Sequence, residues 1–432
     1  MENNYNYCDP QTQKDVTNAS AKHRYNEKSL KCCIYQDVFI VPSNSSEDYP
    51  KGEVLMHDGT LVSGVNPNIN YDSTSPQSYF VQETAYETQC VVYLGTVNNC
   101  WGHYFTDGFS KVWWLFTDEY QMLKQRSSPK LLVTVPYTST PLFPNSYKEL
   151  LRLLGIDEEI EVTHSWKQYT QVYVPDSSLF MNNRHREYTK EFRWTIDRLM
   201  SRIPDVDKKE EKKYEKIYLS RAHWVHKNAD FGEHAIECLF KHNGYTVLYP
   251  ERIPIEKQLA IYKATKSMAS TSGSIAHNSI FCSEGTELII LTKDHATPDY
   301  QMAINQLKDL NVTWIMCHLS IFVTDMPNLG PFFMYINDYV CQFAKERFDK
   351  TIRNNFSAKS FMRYVKLCLK KSDFKRRIQP ISGLADEYYE LLFKEMNNHK
   401  SVARKMADLL DTLGLEAVKD KLKYYYCKLK RG

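Results

Sequence analysis

The segment from residue 217 to residue 291 alternates short apolar runs with stretches in which apolar residues recur at helical spacing. The short runs predict strands and the longer stretches predict helices. Strands separated by helices of this length predict a parallel sheet with right-handed crossovers. The predicted strands are residues 217–219, 245–249 and 288–291, and the predicted helices are residues 235–242, a helix opened by Pro254 and a helix after Ser274.

The first half of the chain carries the same two patterns. Strands are predicted at residues 34–41, 89–94, 130–136, 160–163 and 171–174, and helices at residues 101–124, 145–155 and 186–203. Two α/β halves in succession predict a two-lobed protein with a cleft between the lobes.

These patterns predict five segments along the chain. Residues 1–30 are polar, rich in Asn, Gln and Tyr, and predicted to be irregular. A first α/β lobe is expected over residues 31–204, a charged linker over 205–213, a second α/β lobe over 214–350 and a basic helical extension over 351–432.

Composition narrows the class of protein. The 432 residues are 42% hydrophobic and 25% charged, as in a water-soluble globular protein. No run approaches the ~18 apolar residues of a membrane helix, and the N-terminus lacks a basic and apolar signal segment, so we expect a cytoplasmic protein. The 11 cysteines show no paired C-x-x-C spacing, which favours reduced thiols over a disulfide framework or a zinc site.

Positive charge is concentrated at the end of the chain. Residues 351–432 contain 19 Lys and Arg against 9 Asp and Glu, a net of +10, which leaves −7 for the first 350 residues of a chain whose net charge is +3. Basic residues interleaved with Tyr424, Tyr425 and Tyr426 suit an anionic membrane surface. The alternative is the solvated face of a helical cap. No nucleic-acid partner is expected, because no recognised binding module accompanies the charge.

Two features of the second half suit a phosphate ligand. Arg221 comes after strand 217–219, and a small-residue loop, Thr271-Ser272-Gly273-Ser274, enters a predicted helix. Ligands of parallel sheets bind beyond the carboxyl ends of the strands, where both features fall. Gly273 would let the backbone approach a phosphate at a helix N-terminus, and Arg221 would add a bidentate cation. The alternative is a Gly-Ser turn and a surface arginine.

A second candidate site lies in the first half. His103 and Asp107 are four residues apart at the start of a predicted helix, so their side chains share one face. A carboxylate beside an imidazole orients the ring, as a general base with an orienting partner requires. The pair could equally be a contact that stabilises the helix. Asp205-Val206-Asp207 has the form of a transferase metal motif, but it lies in a charge run with no strand before it, so no metal is expected.

Taken together, these motifs resemble glycosyltransferase family 61, which includes capsular polysaccharide biosynthesis proteins, plant xylosyltransferases and animal N-acetylglucosaminyltransferases. The resemblance spans residues 85–295. It rests on the order and spacing of Asn99-x-x-x-His103-x-x-x-Asp107, Leu219-Ser220-Arg221, Gly244, Glu256-Lys257-Gln258 and Ser272-Gly273-Ser274-x-x-His277-Asn278-x-x-Phe281. The chain departs from the family at Ser272-Gly273-Ser274-Ile275, where His-Gly-Ala-Gly is common, and near Ile290, where an acidic residue is common.

The resemblance implies a GT-B fold of two Rossmann-like lobes, an inverting and metal-independent reaction, and a nucleotide-sugar donor, with UDP as the expected nucleotide and no separate cofactor. It places the base, His103 or Asp107, on the acceptor side of the first lobe. The donor residues of the second lobe would be Arg221, Gln258, Ser272, Gly273, Ser274, His277 and Asn278. Asn278 could instead cap local backbone.

The expected function is transfer of a sugar to a glycan acceptor, lipid-linked, in capsular or surface polysaccharide synthesis, by a cytoplasmic protein peripheral to the inner membrane face. Two alternative functions fit the same motifs. One is a nucleotide-sugar epimerase or hydrolase on the same fold, which needs no acceptor. The other is a transferase-like scaffold that binds donor without turnover.

Overall fold

The computed structural model describes residues 3–42, 52–62, 65, 78–81, 84–98, 100–135, 145–182, 185–223, 230–294, 298–319 and 331–370. The fold is mixed α/β, as predicted. In chain order the strands are β1 (Asn3–Tyr7), β2 (Cys32–Ile40), β3 (Val54–Leu55), β4 (Ala85–Glu87), β5 (Val91–Thr96), β6 (Lys130–Thr134), β7 (Ile160–Val162), β8 (Lys167–Pro175), β9 (Leu179–Asn182), β10 (His185–Tyr188), β11 (Lys216–Leu219), β12 (Asp230–Phe231), β13 (Thr246–Leu248), β14 (Ser267–Thr271), β15 (Glu287–Thr292), β16 (Asn311–Met316) and β17 (Phe332–Phe333).

Helices lie between most of these strands. The α-helices are α1 (Pro10–Ser20), α2 (Trp101–Phe105), α3 (Asp118–Ser127), α4 (Asn145–Leu154), α5 (Lys190–Arg202), α6 (Lys208–Tyr214), α7 (Glu233–His242), α8 (Ile255–Ala264), α9 (Asp299–Leu307), α10 (Asp338–Phe348) and α11 (Ala358–Lys370), and 3-10 helices span Val112–Phe116, Pro250–Arg252 and Ala276–Phe281.

The second half of the chain forms a six-stranded parallel sheet in the order β1-β16-β15-β14-β11-β13. The predicted parallel pairing of strands 217–219, 245–249 and 288–291 is therefore confirmed. Every residue of β14 is buried, as in a sheet covered on both faces. Because the strands run in one direction, the residues that follow β11, β14, β15 and β16 meet at one edge of the sheet.

The first half forms a seven-stranded mixed sheet. Its order is β3-β2-β8-β5-β6-β7, with β4 paired to β8. The strand β2 runs antiparallel to β3 and β8, whereas β4, β5, β6 and β7 pair in parallel. The five strands predicted in this half are all present.

The prediction that residues 1–30 are irregular is wrong. The strand β1 adds to the edge of the second sheet beside β16, and α1 follows, capped by the Asp9 carboxylate. This polar segment contains a few buried residues that pack against the rest of the protein, among them Val16 and Tyr7. The Tyr7 hydroxyl donates a hydrogen bond to Glu346 at 2.8 Å. The N-terminal segment thus completes the sheet formed by the second half.

The single helix predicted over residues 101–124 is also wrong, because the chain divides there into α2, a 3-10 helix and α3. After α2 the Thr106 hydroxyl donates to the Gly102 carbonyl, and the Gly108 amide donates to the His103 carbonyl five residues back. These bonds replace the helical ladder, and the Thr117 side chain caps a new helix by accepting from the Tyr120 amide.

Two further boundaries differ from the prediction. Residues 186–188 belong to the hairpin of β9 and β10, so the helix expected from residue 186 begins at Lys190. The charged linker is partly ordered, because α6 begins at Lys208 with Asp207 at its N-cap. The domain boundaries themselves stay a prediction.

One hydrophobic core joins the two sheets. It includes Val92 and Leu94 of β5 together with Ile217 and Leu219 of β11. At its centre the Phe105 ring, at the end of α2, lies 4.8 Å from the Phe281 ring at the end of the 3-10 helix Ala276–Phe281. This packing holds α2 against the loop that follows β14.

The last described helix packs on the second half. Phe361 and Tyr364 of α11 are fully buried, and both rings contact Phe333 of β17. Residues 371–432, which hold most of the predicted basic extension, lie outside the described residues. Among the helices that are described, none is both long and apolar enough to cross a bilayer.

Candidate functional site

The loop after β14 is shaped by Gly273, whose φ of +105° lies in the left-handed region that favours glycine. The loop leads into a 3-10 helix of six residues rather than the α-helix that was predicted. Such a short 3-10 element provides a weaker helix dipole than the prediction assumed. Ser272 turns toward the sheet, where its hydroxyl accepts a hydrogen bond from the Lys293 amide at 3.1 Å.

A cluster of charged residues lies at the same edge of the sheet. Arg221 follows β11, and its backbone amide donates to the Glu233 carboxylate at 2.9 Å. Glu233 is almost fully buried, and this burial raises its pKa to about 7 against the opposing effect of the Arg221 amide. The neighbouring Lys293 is also buried, and burial lowers its pKa.

Lys293 lies beside the loop that follows β14 and contains Gly273, which we call the glycine loop. A Cβ atom added to Gly273 would be 3.5 Å from the Lys293 ammonium nitrogen. Lys293 and Glu233 were not among the predicted site residues. The signal that could have identified Lys293 is its position directly after the predicted strand 288–291, where the edge of a parallel sheet collects functional side chains.

A pocket of about 610 Å³ opens beside this cluster where the two halves meet. From the second half it is lined by the predicted donor residues Arg221, Gln258, Ser274 and Asn278, with Pro250, Glu251, Ile253, Ile255 and Ile275; from the first half it is lined by Cys100, Trp101, Tyr104 and Ser146. We call it the junction pocket. Ser272, Gly273, His277, His103 and Asp107 are not among the residues that line it.

Two of the predicted donor residues have their side-chain amides engaged within the protein. The Gln258 amide donates to the carbonyls of Pro250 and Ile253, both at 2.7 Å, and so shapes the pocket wall. The side-chain amide of Asn278 donates to the Ile275 carbonyl at 2.9 Å. This is the alternative role expected from the sequence, in which Asn278 caps local backbone.

The first half contacts the glycine loop through α2. The Trp101 indole N–H donates to the Asn278 carbonyl oxygen at 2.8 Å, and the Cys100 sulfur lies 3.6 Å from the Ser274 hydroxyl. At Gly102 the approach is so close that an added Cβ would lie 2.9 Å from the His277 ring. The residues predicted for base and for donor therefore belong to two segments in direct contact.

His103 and Asp107 contact each other, with His103 Nδ1 2.5 Å from Asp107 Oδ2. A third residue joins them from the second half, since the Tyr300 hydroxyl lies 2.7 Å from both carboxylate oxygens of Asp107. Tyr300 was not predicted. It is the second residue of α9, and no local pattern indicates that it reaches a carboxylate 193 residues earlier.

Behind Tyr300 lies a chain of charged groups. The Arg186 guanidinium carbon is 3.8 Å from the centre of the Tyr300 ring. Asp299 accepts from the Arg186 amide at 2.6 Å and from the fully buried Arg24 guanidinium at 2.7 Å. The N-terminal segment thus supports the His103–Asp107 pair through α9.

His277 is buried close to this pair, with its ring centre 6.0 Å from that of Tyr300. Burial, and secondarily the nearby His103, lower its pKa to about 3, so it is neutral at ordinary pH. Within the described ranges neither ring nitrogen has a hydrogen-bond partner. A buried polar group without a partner is costly, and a bound ligand would relieve that cost.

Together these contacts define an α/β protein with a pocket at the carboxyl ends of parallel strands and, on the helix α2 that contributes to the pocket wall, a histidine that pairs with a carboxylate. A search across the described part of the chain finds no group of three or more His, Cys, Asp or Glu placed to hold a metal ion.

Residues 101–289 match the model of the family described as Glycosyltransferase 61. The matched range contains α2, Arg221 and the glycine loop, and it confirms the resemblance seen in the sequence. This match supports glycosyltransferase family 61, whose members move a sugar from a donor to an acceptor, for residues 101–289 of the chain. A search of curated proteins finds no match.

Proposed function

We propose that the protein is an inverting glycosyltransferase that moves a sugar from a nucleotide-sugar donor, with UDP as the nucleotide, to a glycan acceptor. The observation that supports this most is the junction pocket, in which Arg221 and Ser274 face α2, the helix that carries His103. The donor side of a transferase and its base need such proximity, because the acceptor hydroxyl must reach the anomeric carbon.

The two sheets also support a GT-B arrangement. In such an arrangement each half is an α/β lobe and the donor binds between the lobes, mainly on the second. The parallel sheet of the second half, with its polar carboxyl edge, fits the donor lobe. The mixed sheet of the first half fits an acceptor lobe with an additional antiparallel edge.

The proposed reaction is a direct displacement. A base in the first half takes the proton of the acceptor hydroxyl as its oxygen attacks the anomeric carbon. The bond from that carbon to the diphosphate breaks, and the electron pair leaves with the diphosphate. Arg221 and the backbone amides around Gly273 stabilise the charge that develops there, and Lys293 adds a second cation beside the loop. No metal takes part in this proposal.

His277 belongs to the same proposal. Because it is neutral, buried and without a protein partner in the described ranges, it suits a hydrogen bond to the donor sugar or to a phosphate oxygen. Gln258 and Asn278 act through their fixed hydrogen bonds, by shaping the pocket wall that the donor contacts.

The setting proposed for the enzyme is capsular or surface polysaccharide synthesis on a lipid-linked acceptor, at the cytoplasmic face of the inner membrane. The proposed membrane association is supported by the excess positive charge of residues 351–432 and by the tyrosines among the final lysines. The proposed glycan acceptor is supported by the family, whose members transfer sugars to glycans.

A panel of nucleotide sugars screened for thermal stabilisation tests this function. A donor at 100 times its Kd should stabilise the fold by about 2.7 kcal/mol, whereas the free sugars should have no effect. Sugar release with no acceptor present, as fast as with acceptor, would point to the hydrolase alternative. Stabilisation without any turnover on supplied acceptors would point to the scaffold. No stabilisation by any nucleotide sugar would contradict all three.

A further inference from the structure

The Asp107 carboxylate is held by a residue that lies outside the range matched to the family. Tyr300 is the second residue of α9, beyond residue 289, and its hydroxyl lies 2.7 Å from each oxygen of the Asp107 carboxylate. Burial, followed by the negative charge of Asp107, raises the pKa of Tyr300 far above its usual range. Tyr300 therefore keeps its proton and donates a hydrogen bond to the carboxylate.

This contact distinguishes the roles of His103 and Asp107. One carboxylate oxygen of Asp107 interacts with both Tyr300 and His103 Nδ1, and the other with Tyr300. A carboxylate so engaged orients its neighbours, while the histidine N–H that points at it leaves the lone pair on Nε2. Across the described part of the chain no residue binds His103 Nε2, and the side chain is 32% exposed.

Arg186 and His103 limit the movement of the Tyr300 ring. The Arg186 guanidinium packs over one face at 3.8 Å, and the His103 ring meets Tyr300 edge to face with centres 5.3 Å apart. Asp299, the residue before Tyr300, is fixed in turn by Arg24 and by the Arg186 amide. A ring restrained in this way can hold a carboxylate in one orientation.

We propose that Tyr300 is a positioning residue that, clamped by Arg186, orients Asp107 so that His103 carries its proton on Nδ1 and acts as the base through Nε2. The proposal rests on the transfer reaction proposed above, and it assigns the base that the sequence left open between two residues. It also makes the base dependent on α9 of the second half, so the two halves must be packed together for the base to be oriented.

Nitrogen NMR of the histidine rings in the full chain at pH 8.5 tests this proposal without any substrate. The His103 signals, identified by their loss in His103→Gln, should report a proton on Nδ1 in the wild type. Tyr300→Phe keeps the ring and its Arg186 contact but removes the hydroxyl, so both tautomers of His103 should appear. A matched control is Tyr245→Phe, which removes another buried hydroxyl, bonded to Ser267 at 2.9 Å.

Kinetics of UDP release from UDP-glucose, with water as the acceptor, give a second readout. Tyr300→Phe should lower kcat by roughly 10²-fold with the donor KM unchanged, and it should add no further loss in an Asp107→Asn background. A wild-type His103 protonated on Nε2, or a tautomer unaffected by Tyr300→Phe, would overturn the positioning role. If the tautomer changes as expected but the wild type neither binds nor turns over nucleotide sugars, the proposed function fails instead.

Discussion

Each polar side chain at the junction of the two halves is held by a small number of contacts, and these contacts decide its chemistry. Asp107 is bonded to His103 and Tyr300, His277 has no partner in the described ranges, and Glu233 is buried beside Arg221 and Lys293. The sequence predicted His103, Asp107 and Arg221, because each stands in a local pattern. It could not predict Tyr300, since only folding brings that residue to the site, and it missed Lys293 although Lys293 directly follows β15, a predicted strand.

The His103–Asp107 pair leads to the first prediction. Asp107→Asn should keep the fold and the donor site but lower turnover by roughly 10²–10⁴-fold, the usual contribution of a general base. His103→Ala should have a similar effect, and the double variant should lose little more, because residues that act as one unit are not additive.

Transfer rate and thermal midpoint measured on the same samples check this first prediction. A pair that only stabilises the chain would behave differently, with a lower midpoint and nearly unchanged activity per folded molecule. Full activity in both single variants would contradict a catalytic role for His103 and Asp107.

The second prediction concerns Glu233. Burial raises its pKa to about 7 in the folded protein from an ordinary value of 4.5, so the fold favours the protonated form. The associated stability is fully present below pH 4.5 and is lost as the pH rises through 7, a change of about 3 kcal/mol. Urea unfolding at pH 5 and pH 8 should show this loss in the wild type and much less of it in Glu233→Gln.

The exposed Glu284, which pairs with Arg193, offers a matched control for that experiment. Glu284→Gln should keep the wild-type dependence on pH. An equal loss of stability between pH 5 and pH 8 in the wild type and in Glu233→Gln would contradict the buried carboxylate as its source.

At the scale of elements, the sequence predicted strands and helices correctly where a segment shows only one pattern of apolar residues. The strands β11 and β15 contain continuous apolar runs because both faces of their sheet are covered, so they are distinct from the helices between them. The strand β14, Ser267–Thr271, is equally buried but contains three hydroxyl residues, and apolar patterning did not predict it. The prediction failed where side chains compete with the backbone. In residues 101–124 apolar spacing predicts one helix, but hydroxyl groups and glycines divide it.

The N-terminal segment failed for another reason. Its strand β1 is stable only beside β16, more than 300 residues later, and no local pattern carries that information. Low apolar content predicted an irregular segment, but nearly all of its few apolar residues pack against the core.

The third prediction concerns α2 and its contact with the glycine loop. Helix propensity alone predicts that Gly102→Ala stabilises the protein by about 0.5–1 kcal/mol. The structure predicts the opposite, because the new Cβ would meet the buried His277 ring at 2.9 Å and Ser274 at 3.2 Å. Chemical denaturation and donor titration of the variant should show lower stability and weaker binding. A stabilised variant with normal donor binding would contradict the packing of α2 on the loop.

At the scale of the whole molecule, the C-terminal region has two parts: the helix α11, which packs on the core, and a basic segment after it. Phe361 and Tyr364 of α11 are part of the packed structure, so removing everything after residue 350 would expose the core. A test of the basic extension should therefore leave α11 intact. Residues 419–432 contain six Lys and Arg against one Asp, and they include the three consecutive tyrosines.

The fourth prediction is that deleting residues 419–432 weakens binding to vesicles of anionic phospholipid while sparing UDP binding. Each basic residue near such a surface is worth roughly 1 kcal/mol, and salt should weaken wild-type binding in the same way. Co-sedimentation measures both effects. A matched control replaces Lys208, Lys209 and Lys212, which are exposed on α6, by Ser. If neither the deletion nor added salt weakens vesicle binding, the proposed membrane association is contradicted.

The central claim is that the carboxyl edge of the second sheet binds the diphosphate of the donor, and calorimetric titration with UDP tests it most directly. Arg221→Ala removes a charge-assisted contact worth about 1.5–3 kcal/mol, so UDP should bind the variant roughly 10- to 150-fold more weakly, with the fold intact. Arg193→Ala, which removes a half-buried arginine paired with Glu284, should bind UDP as the wild type does. Equal affinity in the wild type and Arg221→Ala, or no binding to the wild type at all, would contradict the claim.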